Sequence, residues 1–335
     1  MSAGGIPKMI STSIPARQPI RQPWSHERLV RERALVLGFA IDSSTRKSYE
    51  SACNSYLAFV RLHDLPVDPT PETLSFYIVF MSHHISPRSV ASYLSGITHQ
   101  LEPFFPDVRS ARSSKLVQQT LKGCHKLYAG PISRKRALTQ TDLLVPITRY
   151  EHSSNHDDLL FLTLFLTGFF GLMRLGELVF PDDVSLQDWR KVTRRSSVHV
   201  TAQHYEFTLP AHKADILFEG SRVLVWGERF GFETHRFFLL YLESRDRLFS
   251  LASPLWLTAS GAVPTRAFFM RRLRDLLPGV SVGGHSLRAG GATLLADFGI
   301  PPHVIQAAGR WASNTFQVYI RKHPLLLHSL LFSPR

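Results

Sequence analysis

The chain has 335 residues, of which 44% are hydrophobic, and its 39 Lys and Arg against 26 Asp and Glu give a net charge of +13. This length allows two domains with cores of their own, and the ordinary apolar content excludes wholesale disorder. The two cysteines, Cys53 and Cys124, form neither a disulfide framework nor a CxxC metal pair, and this low cysteine content favours an intracellular location. The most apolar run is about 14 residues, short of the roughly 20 that span a bilayer, so no membrane partner is expected. The basic charge favours a nucleic acid as partner.

The first part of the chain predicts an arm followed by a helical domain. Residues 1–24 are rich in Pro, Ser, Gly and Arg, and indicate a flexible basic arm or an unstructured terminus without a role. From Ser25 the pattern is helical, and capping pairs at Thr70-Pro71 and Ser86-Pro87 mark helix starts. The predicted helices cover 26–40, 44–63, 70–84, a segment from 86, and 111–128. Residues 25–130 are therefore predicted to form an all-helical domain.

A basic run joins this domain to the next. Residues 108–136 contain no Asp or Glu, and their basic residues are Arg109, Arg112, Lys115, Lys122, Lys126, Arg134, Lys135 and Arg136. Such a run is either a solvated face or a phosphate-contacting surface, and the basic character of the whole chain favours DNA contact. The cluster at 134–136 could equally be a nuclear localisation signal. Residues 131–137 are predicted to be a basic linker.

Residues 138–335 predict a second domain that mixes helices with a few strands. Thr139 with Asp142 is a capping pattern that opens a helix. Further helices are predicted over 157–172, 233–248 and 264–277, and strands over 197–202, 205–209 and 222–226. A short helix after Gly299 is predicted to end at Gly309 as its C-cap. The apolar tail, residues 325–332, needs a groove on its own domain or on a neighbouring protomer.

Several charged residues of this domain are candidates for a site. Arg174 and Glu177 follow the most apolar predicted helix, where charges are costly unless paired or bound, so they form either an internal salt bridge or part of a site. Lys213 lies in the predicted turn after the second strand, where a surface lysine is ordinary. His285 and Arg288 are one helical turn apart and can point at the same small anion. Arginine suits phosphate oxygens, and histidine moves protons near neutrality.

The end of the chain adds Gly309-Arg310-Trp311 and Tyr319, the only tyrosine after Tyr241. Tyr319 is either an anchor or a nucleophile. In this order, the candidates resemble the catalytic pattern of the tyrosine recombinase (phage-integrase-type) family: Arg174 with Glu177, Lys213, His285, Arg288, Trp311 and Tyr319. The resemblance covers about residues 26–325, including 44–49 and 86–97, which are similar to the family's core-binding module. Tyr319 lies eight positions after Trp311, one fewer than the common bacterial spacing.

The resemblance implies a fold that is mainly α with a small β-sheet (α+β), built from a helical SAM-like core-binding domain and a recombinase catalytic domain. It implies that Tyr319 attacks a DNA phosphodiester while Arg174 and Arg288 bind its oxygens. The remaining implied roles are proton donation by Lys213, proton acceptance by His285, an indole N–H donor from Trp311, and orientation of Arg174 by Glu177. It implies no metal, no cofactor and no small-molecule substrate, with double-stranded DNA as partner and a homo-tetramer on DNA.

The form of the last motif is similar to integrase-like proteins of eukaryotic Crypton-type mobile elements, and this similarity implies DNA integration or excision in a nucleus, with a fungal origin. Three rival interpretations remain. One is a DNA-binding protein of the same fold that no longer cuts, and another is a nicking, topoisomerase-like enzyme with the same chemistry. The third is a metal-dependent hydrolase using His285, His303 and His323, although their spacing fits no standard zinc pattern.

Overall fold

The computed structural model describes residues 21–38, 40–131, 135–210 and 220–311. The chain divides into two compact units, Met1–Pro131 and Ile132–Arg335, which we call the N-terminal and C-terminal units. Both are largely helical and the second contains a small sheet, so the predicted mainly α class is confirmed. Within these ranges, no helix has the length and apolarity needed to cross a membrane. Residues 1–20 of the predicted arm and the apolar tail lie outside the described residues.

The described part of the N-terminal unit is helical, and every helix except the first, which buries no residue, contributes to one core. The helices are α1 (His26–Gly38), α2 (Ser43–Leu62), α3 (Pro71–Ser82), α4 (Pro87–Leu101), α5 (Val108–Ser113) and α6 (Lys115–Tyr128). Thr70 accepts a hydrogen bond from the Thr73 amide at 3.2 Å, which confirms the predicted cap of α3. Helices α2 and α4 approach closely at Gly96, where an added Cβ would lie 2.8 Å from the Cβ of Ala52. The core is therefore assembled from the predicted helical faces.

The prediction of a single helix over 111–128 is wrong, because the helix is interrupted at Ser114. This residue is extended, with φ −59° and ψ 152°, and its side chain accepts a hydrogen bond from the Val117 amide. A serine competes for backbone donors and favours helix starts over helix interiors. Ser114 therefore ends α5 and caps α6 as a new helix.

The C-terminal unit contains helices before and after a small sheet. Its helices are α7 (Gln140–Tyr150), α8 (His156–Phe170), α9 (Thr234–Leu248), α10 (Arg266–Leu276), α11 (Ser286–Asp297) and α12 (Pro302–Ala308). Its strands are β1 (His199–Val200), β2 (His204–Leu209), β3 (Ser221–Trp226), β4 (Glu228–Arg229) and β5 (Phe232–Glu233). Thr139 and Asp142 form the predicted capping box of α7. The ranges agree with the sequence to within a few residues, except that the β4–β5 pair was not predicted.

The sheet has the order β1-β2-β3 with antiparallel pairing, and Tyr205 lies opposite Val225. Alternate residues of β2 and β3 are buried, so one face of the sheet packs on the core. The pair β4–β5 consists of two-residue strands, which are too short to show an alternating pattern in the sequence.

Helix α8 is apolar on all sides and is buried along nearly its whole length. Helix α11 packs directly on its end: a Cβ added at Gly291 would lie 2.1 Å from the carbonyl oxygen of Phe169. At Gly290, an added Cβ would lie 2.4 Å from the carbonyl oxygen of Leu138. These two glycines therefore bring the N-terminal turns of α11 against the last turn of α8 and against the segment before α7.

Candidate functional site

Arg174 and Glu177 form the salt bridge that the sequence left open as one alternative. Arg174 precedes a short 3-10 helix, Leu175–Glu177, after the end of α8. Its Nη1 lies 2.8 Å from Oε1 of Glu177, and its backbone amide donates to Oε2 at 3.0 Å. The Glu177 side chain is only 7% exposed, whereas that of Arg174 is 26% exposed. The carboxylate is therefore anchored inside, and the guanidinium of Arg174 still reaches the surface.

Arg288 meets the same carboxylate from α11. Its side chain is 1% exposed, its Nη2 donates to the carbonyl oxygen of Gly309, and its Nη1 lies 3.9 Å from Oε1 of Glu177. Arg174 and Arg288 are 114 positions apart in the sequence, and the fold brings both to Oε1 of one side chain. The two predicted phosphate-binding arginines are therefore neighbours.

A third arginine, Arg310, contacts Glu177 and was missed by sequence reasoning. Its Nη2 lies 3.3 Å from Oε2, and its guanidinium also donates at 3.4 Å to the carbonyl oxygens of Gly171 and Leu172. Burial lowers the pKa of Arg310, against the raising effect of the Glu177 carboxylate. The sequence offered one indication of its role, a basic residue placed directly between two residues of the predicted motif, Gly309 and Trp311.

Trp311 lies against Arg288. The Arg288 Cζ is 4.2 Å from the centroid of the Trp311 ring, a cation–π arrangement. Gly309 makes room for this ring, since a Cβ there would lie 1.6 Å from Cζ3 of Trp311. Gly309 is the C-cap of α12 as predicted, but it keeps a right-handed conformation, with φ −81°, and Arg310 takes the left-handed one, with φ 55°. The glycine is needed for the approach of the ring.

His285 occupies the residue before the first turn of α11. Its carbonyl accepts the Ala289 amide at 3.0 Å, so it starts the hydrogen-bond ladder of the helix. The His285 side chain is exposed, whereas Arg288 is buried. The predicted helical spacing is therefore present, with the histidine on the solvent side of the arginine. Lys213 and Tyr319 lie outside the described residues, so their predicted roles stay predictions.

The cluster has more positive than negative charge. Three guanidinium groups, from Arg174, Arg288 and Arg310, share the carboxylate of Glu177. Like charges held close together in a poorly solvated place repel, and a bound anion relieves that repulsion. The forked donors of arginine match the oxygens of a phosphate. The arrangement therefore suits an anion such as a phosphodiester.

The residues of the predicted DNA-binding run divide into two groups. Lys115, Lys122 and Lys126 are exposed along one stripe of α6, while Val117 and Cys124 on the same helix are buried. The other described members have partners within their own units: Arg109 pairs with Glu102, Arg112 donates to Ser95 Oγ at 2.8 Å, and Lys135 donates to Ser281 Oγ at 3.2 Å. Arg134 lies outside the described residues.

Arg136, the last residue of the run, makes a two-pronged salt bridge with Asp142, with N–O distances of 2.6 and 2.7 Å. The hydrogen bonds from Arg136 are the main reason that the pKa of Asp142 falls to about 2. Asp142 also accepts the amide and hydroxyl of Thr139. Arg136 therefore stabilises the first turn of α7 through its salt bridge with Asp142.

Within the described ranges, no group of three or more His, Cys, Asp or Glu side chains is placed to bind a metal ion. His285 and His303 are included in those ranges, and His323 is outside them.

No protein-family profile and no curated protein matches the chain. Solved structures do match. A lambda integrase tetramer bound to a Holliday junction has a TM-score of 0.55 at 14% identity, covering 88% of this chain and 76% of the integrase. XerH site-specific recombinase bound to palindromic difH substrate has a TM-score of 0.54 at 16% identity, covering 78% and 71%. The Tn1549 transposon integrase in complex with transposon right end DNA has a TM-score of 0.54 at 10% identity, covering 92% and 98%. At these identities the likeness concerns the fold, and it confirms the predicted recombinase fold.

Proposed function

We propose that the protein is a site-specific tyrosine recombinase, an enzyme that breaks and rejoins duplex DNA. The observation that carries this proposal is the convergence of Arg174 and Arg288 on Glu177, from distant parts of the sequence, in a fold shared with DNA-bound recombinases. A fold alone leaves the chemistry open, whereas two arginines on one buried carboxylate form an anion site.

In the proposed reaction, Oη of Tyr319 attacks the scissile phosphorus. A bond forms between the tyrosine oxygen and phosphorus, and the bond from phosphorus to the 5′ oxygen breaks, which leaves a 3′-phosphotyrosyl link and a 5′-hydroxyl. His285 accepts the tyrosine proton, and Lys213 donates a proton to the leaving oxygen. Arg174 and Arg288 stabilise the charge that develops on the non-bridging oxygens, and Glu177 keeps Arg174 oriented. Attack by a 5′-hydroxyl on the phosphotyrosine reverses these steps and rejoins DNA.

The phosphotyrosine conserves the energy of the broken phosphodiester, so religation requires no nucleotide triphosphate. Positive charge at the phosphate is supplied by arginine, and the reaction is therefore expected to proceed in EDTA. A strict magnesium requirement for cleavage would count against this scheme.

Duplex DNA is the proposed partner, and the exposed lysine stripe of α6 is the proposed backbone contact. Neutralising phosphates with lysine releases counterions and gives affinity without sequence preference. We further propose action as a homo-tetramer on two duplexes, in line with the lambda integrase tetramer on a Holliday junction. The similarity of the Gly-Arg-Trp motif to Crypton-type integrases supports integration or excision of a mobile element, and a nuclear location if the host is eukaryotic.

Substitution of the two arginines tests the proposal. Arg174→Gln and Arg288→Gln should each lower the rate of DNA cleavage by about 100-fold or more, with much smaller effects on DNA affinity. Arg236→Gln is a matched control, since Arg236 is exposed and pairs with Glu233 on the surface. If the wild-type protein binds duplex DNA but never cleaves it, the non-cutting DNA-binding alternative replaces this proposal.

A further inference from the structure

Arg310 is the least expected member of the charged cluster. The family resemblance implies that Trp311 contacts the phosphate through its indole N–H, and it gives no role to Arg310. In the structure the Trp311 ring stacks on Arg288, and the side chain that contacts Glu177 from this segment is that of Arg310. The segment therefore delivers a cation to the cluster.

The two oxygens of Glu177 are used differently. Oε1 is contacted by Arg174 Nη1 at 2.8 Å and is 3.9 Å from Arg288 Nη1. Oε2 accepts the backbone amide of Arg174 at 3.0 Å and lies 3.3 Å from Arg310 Nη2. The side chains of the two predicted phosphate-binding arginines thus meet one oxygen, and Arg310 meets the other. A carboxylate held at Oε2 cannot rotate away from Arg174 and Arg288.

The backbone and burial of Arg310 argue that its side chain is specifically placed. A non-glycine residue with φ 55° is in a sparsely populated region, and such conformations persist where the surroundings demand them. The side chain is 10% exposed, and its Nε has no hydrogen-bond partner among the described residues. Its three carbonyl contacts, to Gly171, Ala308 and Leu172, are long, at 3.4 Å, and its charged partner is Glu177 at 3.3 Å. An incidental surface arginine would satisfy its donors with water.

We propose that Arg310 is a positioning residue of this centre, holding Oε2 of Glu177 so that Oε1 orients Arg174 and Arg288 toward the scissile phosphate. The inference rests on the proposed recombinase function. It assigns Arg310 the charged role at this position, while Trp311 packs over Arg288. Because Arg310 shares the charge of the carboxylate, Arg174 and Arg288 stay in contact with Glu177 and keep positive charge for the substrate.

The test is a double-mutant cycle between Arg310 and Glu177, with cleavage rate, DNA affinity and thermal stability measured for each variant. Arg310→Gln should lower the cleavage rate by about 10-fold or more and change DNA affinity by less than about 3-fold. Glu177→Gln should lower the rate at least as much, and the double variant should be no slower than Glu177→Gln alone. Arg310→Lys keeps the positive charge and should recover most of the cleavage rate. It also tests the inference if Arg310→Gln folds poorly.

A wild-type rate in Arg310→Gln, or losses from Arg310→Gln and Glu177→Gln that multiply, would overturn the inference while leaving the recombinase proposal in place. If the wild-type protein does not cleave DNA, the recombinase proposal fails, and the inference fails with it. A double variant whose loss of thermal stability equals the sum of the two single losses would also contradict the proposed contact between Arg310 and Glu177, since a shared contact predicts a smaller combined loss.

Discussion

Arg288 lies beneath Trp311, with its Cζ 4.2 Å from the centroid of the indole ring. The guanidinium is also hydrogen-bonded to the carbonyl of Gly309, the residue that makes room for that ring. The segment after α12 therefore covers the arginine of α11 and fixes its plane. A stacked, desolvated pair of this kind is worth on the order of 1 to 2 kcal/mol.

Substitution of Trp311 separates stacking from hydrogen bonding. Trp311→Phe keeps an aromatic face over Arg288 but removes the indole N–H, so cleavage should stay within about 3-fold of wild type. Trp311→Ala removes the face and should lower both the cleavage rate, by about 30-fold, and the melting temperature. Rates are measured in single turnover on a duplex that carries the recognised site. If Trp311→Phe is as slow as Trp311→Ala, the N–H donation implied by family resemblance is the essential role.

The contact between α8 and α11 should tolerate no side chain at Gly291. An added Cβ would lie 2.1 Å from the carbonyl oxygen of Phe169, which is backbone and cannot move aside. Gly291→Ala should therefore destabilise the fold by several kcal/mol, about 3 or more, as measured by urea denaturation. Gly123→Ala is the matched control: it is also a helical glycine, with no atom within 4 Å of the added Cβ, and should be neutral or stabilising by about 0.5 to 1 kcal/mol. Equal effects of the two substitutions would contradict the close packing.

The salt bridge between Arg136 and Asp142 should make stability depend on pH. Hydrogen bonds from Arg136 hold the pKa of Asp142 at about 2 in the folded protein, below its ordinary value in an unfolded chain. The stabilisation is therefore present above the unfolded pKa and is lost as the pH falls toward 2.

We expect Arg136→Gln to be less stable than wild type by roughly 1 to 2 kcal/mol near pH 6, with the gap shrinking as the pH approaches about 2.5. Urea denaturation at both pH values measures the gap. Arg149→Gln, an exposed arginine at the end of the same helix, is the control and should show no comparable change. A gap of equal size at both pH values would mean that the ion pair does not stabilise the fold.

The lysine stripe of α6 predicts a specific salt dependence of DNA binding. If Lys115, Lys122 and Lys126 each contact a phosphate, replacing all three by Gln should lower the slope of log affinity against log salt by roughly 2.7, about 0.9 for each contact. The triple Lys→Arg variant preserves the charge and should bind like wild type. An unchanged slope in the Gln variant would show that this face of the helix is only solvated.

Local signals predicted most of the fold correctly because they act over a few residues. Thr70-Pro71 and the Thr139–Asp142 box marked helix starts that the structure reproduces, and alternation marked β2 and β3. The break at Ser114 was missed because serine is tolerated both inside helices and at their caps, so its neighbours do not decide between them.

The site was predictable in part for a similar reason. Arg174 with Glu177 and His285 with Arg288 are close in sequence, and their spacing indicated shared sites. Arg310 was missed because its contact with Glu177 spans 133 positions and depends on a left-handed backbone conformation. Nothing in the local pattern indicates that conformation, since arginine rarely adopts it.

The most direct measurement is covalent trapping of DNA by Tyr319. Purified protein is mixed with a nicked duplex carrying a candidate element end, in EDTA, and then denatured in SDS. We predict that wild-type protein forms an adduct resistant to SDS, that Arg236→Gln forms it equally, and that Tyr319→Phe forms none while still binding DNA. An adduct that persists in Tyr319→Phe would show that another residue is the nucleophile. Duplex DNA that binds wild-type protein without any adduct would contradict the recombinase function itself.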